Sequence, residues 1–320
     1  MSEKKITKET LIEAFQRGTD YQSMDPETQL CNASSELKSD QEIMFAAVDF
    51  HGWLYEYASD ELKSDKELAL KALGHRKRQL EEVGSLIDWE EEDPTSLICK
   101  HFDKSLWKDK DIVKLALELY GIKIIENRFI HESLLKDKEF IISLNDITDA
   151  EGLCLIDDIY NIAHASVKND RDVALKLLEG GYMSINCFNR KMLEDKEVVL
   201  KIISTVIKTG DGSEISELFE LVPNMSKDKD MCLTIVRDHH YNNLIFVDHA
   251  LRIDADIIQA ATSNCLMYKF KDLRKELTIV DRERMAYDIV NNFIDELEFM
   301  EEDPAYWIEN LVNNHLENKS

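Results

Sequence analysis

A chain of 320 residues with 64 acids, only 39 lysines and arginines and a net charge of −25 is a poor match to nucleic-acid phosphates or an anionic membrane surface. No apolar run is long enough to span a bilayer, and the charged start, residues 1–9, has no signal-peptide core, so no membrane association is expected. The six cysteines (Cys31, Cys99, Cys154, Cys187, Cys232, Cys265) form no Cys-x-x-Cys pair. Most sit beside apolar residues on predicted helices, which reads as buried reduced thiols and a cytoplasmic protein.

Along the chain, ten helix-capping residues are each followed two places later by an acid. The caps are Thr7, Asp40, Asp65, Asp109, Asp137, Asp170, Asp195, Asp228, Asp254 and Asp281. An Asp before an apolar-periodic run accepts from otherwise unpaired backbone N–H groups, and the following acid favours the positive first turn. From Asp40 to Asp254 the eight copies also carry an apolar residue three before and three after the cap, as in Leu37 and Ile43. After Asp40, residues Ile43, Ala46, Ala47 and Phe50 form a helical stripe to about His51. Gly52 breaks it, and residues 53–58 predict a shorter second helix. The stripes Ile112, Leu115, Ala116, Leu119 and Val199, Ile202, Ile203, Val206 repeat the pattern. Residues 145–152 and 209–213 read as loops, Gly180-Gly181 as a helix C-terminal turn. No convincing strand is predicted. Such a unit holds two short helices and cannot bury its apolar side alone. The expectation is all-α: an α-solenoid or superhelical array of about eight to ten short helix-pair repeats.

The run Ala58 to Leu73, Ala-Ser-Asp-Glu-Leu-Lys-Ser-Asp-Lys-Glu-Leu-Ala-Leu-Lys-Ala-Leu, resembles the repeat of the family called domain of unknown function 4116. Ala46-Ala47-Val48, Gly52-Trp53-Leu54 and Tyr57-Ala58-Ser59 fit the same pattern. The resemblance is close over 34–73 and looser in later copies such as 192–203. Asp228 and Asp254 keep the cap but lose the tryptophan-bearing second helix. The resemblance implies helical repeats of bacterial or viral proteins and carries no catalytic motif.

The spacing divides the chain into N-terminal repeats 1–80, an acidic inter-repeat insertion 81–108, central repeats 109–280 and a C-terminal helical cap 281–320 with an acidic patch. The charge follows these parts. The ten repeat starts, with eight bases directly after their caps (Lys8, Lys66, Lys110, Lys138, Arg171, Lys196, Lys229, Arg282), carry −11 net. Residues 81–93 add seven acids and no base, residues 295–303 six acids and no base. Helix capping explains the first contribution and not the other two. Asp88-Trp89-Glu90-Glu91-Glu92-Asp93 and Glu298-Phe299-Met300-Glu301-Glu302-Asp303 each run into a Pro that opens a helix. They read either as solvated loops or as a docking surface for a partner with a basic surface, with Trp89 and Phe299 as apolar anchors.

Chemistry-bearing patterns are few. The basic cluster His75-Arg76-Lys77-Arg78 predicts pairs within its own helix, Lys77 with Glu81 and Arg78 with Glu82. His239-His240 near Asp248 and His249 reads as exposed or capping polar residues rather than a metal site, since adjacent histidines on a helix diverge. The run 211–215 lacks the first ligands of a calcium loop, which would fall on Ile207 and Thr209. Phosphate-loop, dinucleotide and nucleophile-elbow motifs are missing. No catalytic residue, cofactor site or metal site is expected. The function expected is docking of a basic protein, in its most specific form inhibition of a nucleic-acid-binding protein by charge mimicry. The alternative is a scaffold or oligomerisation module that holds a partner helix in an apolar groove.

Overall fold

The computed structural model describes residues 6–17, 25–83, 98–180, 183–209, 212–222, 224–238, 240–272, 278–292 and 304–317. Those residues are helical and contain no strand; the one extended contact among them is an isolated antiparallel bridge between Thr148 and Cys154. No helix among them is long and apolar enough to cross a membrane. The chain forms two compact units, Met1–Lys168 and Asn169–Ser320.

The helices of the first unit that begin at caps are α1 (Lys8–Arg17), α2 (Gln41–Phe50), α3 (Lys66–Val83), α4 (Lys110–Tyr120) and α5 (Lys138–Ile142). In the second unit α6 (Arg171–Gly180), α7 (Lys196–Thr209), α8 (Lys229–Asp238) and α9 (Ala255–Asp272) begin in the same way, followed by α10 (Ile279–Asn292) and α11 (Pro304–Glu317). Each aspartate from Asp40 to Asp254 caps as its position demands. Asp40 accepts from the Ile43 amide at 3.2 Å, Asp65 from Leu68 at 2.9 Å, Asp137 from Phe140 at 2.9 Å and Asp170 from Val173 at 3.1 Å. Asp109, Asp195, Asp228 and Asp254 each hold two amides, those two and three residues on. Asp281 differs: α10 starts at Ile279, three residues before the start that a cap at Asp281 would set. Thr278 is the cap, accepting from the Asp281 amide at 3.1 Å and donating its hydroxyl to the Asp281 carboxylate at 2.6 Å. A threonine three residues ahead of an acid outcompetes the acid for the cap position, because the pair satisfies itself reciprocally.

The repeat contains a third piece that a helix pair does not include. A short turn of helix precedes each of these eight caps: Ser35–Lys38, Leu62–Ser64, Leu106–Lys108, Glu132–Leu135, Ala165–Lys168, Arg190–Leu193, Met225–Lys227 and His249–Arg252. The apolar residue three before the cap belongs to this turn. Leu106, Leu134, Val167, Met192 and Met225 are buried by it, whereas Leu37, Leu62 and Leu251 are only half-buried. In seven of the eight copies the turn has its own cap, six residues before the aspartate; before Asp228 that place is held by Val222. Ser34 and Ser59 accept there from Leu37 and Leu62, Asp103 from Ser105, Asn189 from Met192 and Asp248 from Ala250. His131 and His164 do the same through Nδ1, from Ser133 and Ser166. The amide of that residue also donates to the turn of the preceding copy. Ser59 reaches the Lys38 carbonyl, Asp103 Lys63, His131 Trp107, His164 Leu135 and Asp248 Ser226, all at 2.9–3.2 Å.

Within the first unit α1 packs on α2, α2 on α3 and α3 on α4; within the second α6 packs on α7, α7 on α8 and α8 on α9. Ile43, Leu68, Ile112, Val198 and Ile257, three places after their caps, are fully buried at these contacts. The far end of the second unit is closed by α10 and α11, which lay Ala286, Ile289, Ile308, Leu311 and Val312 on Ile258, Ala261, Cys265 and Leu266 of α9. Cys99, Cys187, Cys232 and Cys265 are buried thiols, but Cys31 and Cys154 are exposed. Burial pushes Cys232 and Cys265 up to about 12, so neither supplies a thiolate near neutrality.

Candidate functional site

Six of the eight bases that follow the caps reach the start of the next copy, a partner not expected from the sequence. In the first unit Lys8 lies 2.8 Å from both Asp40 and Glu42, Lys66 lies 2.9 Å from Asp109 and 2.6 Å from Asp111, and Lys110 lies 2.6 Å from Asp137. In the second, Arg171 bridges Asp195 and Glu197, Lys196 lies 2.8 and 2.7 Å from Asp228 and Asp230, and Lys229 lies 2.9 and 2.6 Å from Asp254 and Asp256. The cap-plus-two acid therefore has two roles: it faces its own helix dipole and closes an ion ladder along the helix starts. Gln41 stands where a base would reach Asp65 and Glu67, so the ladder skips that step.

Electrostatics at the rungs are structural. The Lys8 ammonium holds Asp40 below its ordinary value, and Lys110 does the same to Asp137. At Asp109, Asp228 and Asp254 partial burial raises the carboxyl, and the preceding lysine together with the helix amides outweighs it. Carboxylates held down in this way are the opposite of a general acid.

The second feature is the joint between α2 and α3. The chain leaves α2 at His51 and turns into a 3-10 segment, Gly52–Tyr57, close to the sequence expectation of a second helix over 53–58. Gly52 is required there for space: a Cβ would sit 2.6 Å from the Ala72 carbonyl oxygen of α3. An open cleft of about 290 Å3 beside the joint is lined by Asp49, His75, Arg78 and Gln79. Asp49 is 3.1 Å from Lys71 and 3.2 Å from Arg78, and both cations hold its carboxyl down. The His51 and His75 rings meet edge-on at 5.7 Å, and His51 also stacks on Trp53. The Nδ1 atom of His51 is buried without a hydrogen-bond partner.

Two bases of the cluster therefore work between helices, while Arg76 donates to Gln79 of its own helix at 3.5 Å. Lys77 pairs with Glu118 of α4 at 3.4 Å and Arg78 with Asp49 of α2. Packing of α3 between two neighbours puts their acids within reach of these long side chains. His240 caps its own 3-10 segment by accepting from the Asn242 amide at 3.1 Å, the capping role expected of it. The proposed docking residues Asp88, Trp89, Glu90, Glu91, Glu92, Asp93, Glu298, Phe299, Glu301, Glu302 and Asp303 lie outside the described residues.

Residues 40–85 match the family described as Domain of unknown function (DUF4116). The matched stretch runs from the Asp40 cap through α2, the joint and α3. Comparison with curated proteins and with solved structures found no match.

Proposed function

We propose that this chain is a cytoplasmic α-solenoid of about eight to ten short units that binds a protein with a basic surface and catalyses no reaction. One observation carries the reading. Six of the eight bases that follow the caps are engaged by acids of the next copy, in most rungs two acids to one base, so those six are not available to neutralise the windows 81–93 and 295–303. The packing of cap helices in chain order within each unit supports the solenoid. The most specific version is inhibition of a nucleic-acid-binding protein by presenting phosphate-like charge.

The test is kinetic. A partner is recovered by affinity capture at low salt, and its association rate is measured with the parent chain, with Glu90→Gln/Glu91→Gln/Glu92→Gln and with Glu301→Gln/Glu302→Gln. Attraction of this kind is screened over about 8 Å at physiological salt, so it appears mainly in the association rate at low salt. The expected result is a several-fold slower association with unchanged helicity. If neither set of swaps changes the rate, the acidic windows do not dock the partner. The scaffold reading would then lead, and it has one feature in its favour: Ile279, Val280 and Tyr287 of α10 are 58–72% exposed.

A further inference from the structure

We propose that His75 is a proton sensor that loosens the joint between α2 and α3 when the surroundings acidify. The geometry rests on an internal comparison. His75 lies ten residues after the Asp65 cap, and Asn264 lies ten residues after Asp254. Asn264, 2% exposed, holds its joint with two hydrogen bonds: Oδ1 accepts from the Tyr241 amide at 3.0 Å and Nδ2 donates to the Arg237 carbonyl at 2.9 Å. An amide side chain does this at any ordinary pH. In the α2–α3 joint the same place is taken by an imidazole, which gains a charge in acid.

The acids nearest His75 in the structure are already paired with other cations. From α2 comes Asp49, already bridged by Lys71 and Arg78. From the turn comes His51, whose ring meets that of His75. The 3-10 segment carries Glu56, which faces His101 at 3.6 Å. On α4, Glu118 pairs with Lys77, and the Tyr120 hydroxyl is buried. On α3 itself stand Lys71, Arg76 and Arg78. Partial burial, then the neighbouring His51, pushes the His75 imidazole below the ordinary histidine value; the Phe50 backbone and Asp49 offset only part of this. The folded chain then binds fewer protons than the unfolded one between the lowered value and about 6.5. The joint is tightest above that window and weakens as pH falls through it. The segment it would release carries Trp53 and Tyr57, both half-buried.

The experiment is hydrogen exchange on the full chain at about pH 7.5 and about pH 5.5, corrected for intrinsic rates. Protection over Gly52–Tyr57 should fall about threefold or more, while that over Ile185–Cys187, a 3-10 segment capped by Ser184, changes less. The variant His75→Asn, which copies Asn264, should remove the difference. An unchanged parent, or an equal fall in His75→Asn, overturns the proposal. Should His75→Asn open the joint at both pH values, the ring-proton titration of His75 in the parent decides. A midpoint below that of free histidine supports the sensor, and one at or above it overturns it.

Discussion

The joints at 51–79 and 240–268 occupy the same place in the repeat and are closed differently. His51 corresponds to His240, Gly52 to Tyr241, His75 to Asn264 and Gln79 to Tyr268, counted from the Asp65 and Asp254 caps. In the first joint the two helices approach until only a glycine fits, and the ring at His51 faces a second histidine. In the second joint the approach is filled by aromatic rings. His240 lies 4.5 Å from the Tyr241 ring and 4.4 Å from that of Tyr268, and a buried asparagine ties the backbone on both sides. Thr205 of α7, again ten residues after its cap, donates to the Leu178 carbonyl at 3.3 Å, a single-bond version of the same tie. One backbone problem, the free groups where a helix ends beside its successor, therefore has several side-chain solutions.

The largest expected effect breaks the second joint. Asn264→Leu keeps the side chain about the same size but leaves the Tyr241 N–H and Arg237 C=O without their partner. The expected cost is about 2–4 kcal/mol in denaturant unfolding, because a buried group left unpaired forfeits its desolvation. A loss well below 1 kcal/mol would mean that the tie is incidental. Next in size is Gly52→Ala. The new methyl meets the Ala72 carbonyl, a backbone atom that moves only with α3, so about 1–3 kcal/mol is expected. If Gly52→Ala melts like the parent, the close approach is not a constraint and the contrast between the joints loses its steric half.

These contrasts were only partly legible in the chain. The aspartate caps and the apolar residue three places on could be read because both act within one helix, where the period is fixed. The short turn before the cap was hidden: four residues are too few to show a helical period, and its cap changes from Ser to Asp, His or Asn between copies. The ladder was hidden for another reason. Lys66 could be counted as a charge, but its pairing with Asp109 and Asp111 crosses more than forty residues and needs the packing of α3 on α4. The same packing redirects Lys77 and Arg78 from their own helix to Glu118 and Asp49. At Asp281 the pattern of cap and following acid points to the wrong residue, because Thr278, outside the apolar stripe, takes the cap position.

A smaller effect should follow from moving one residue between the joints. Asn264→His places a second imidazole beside His240 and removes one of the two backbone ties. Stability should fall by about 1–2 kcal/mol at neutral pH, and hydrogen exchange over Tyr241–Phe246 should become more acid-dependent than the His240 cap alone makes it in the parent. No new acid dependence would mean that paired rings alone do not make a joint responsive, and that Arg78 is needed as well.

The smallest effect concerns the ladder step between these helices. Lys8 and Lys66 each fill a site formed by a cap and the acid two places on, while Gln41 leaves Asp65 and Glu67 with no base from that position. Gln41→Lys restores the pattern at an exposed site and needs no repacking. An exposed pair gains little because solvent screens it and the side chain loses freedom, so the thermal midpoint should rise by only about one or two degrees. The sign and the salt dependence carry the information. The gain should be present at low salt and fade as the screening length shortens toward about 3 Å near 1 M. A substitution that stabilises equally at both extremes would not be acting through charge, and helix propensity, nearly equal for Lys and Gln, would not account for it either. One that destabilises at low salt would show that the start of α3 is not aligned with that of α2 as α4 is with α3, and the missing base would then be a consequence of the tight joint at Gly52.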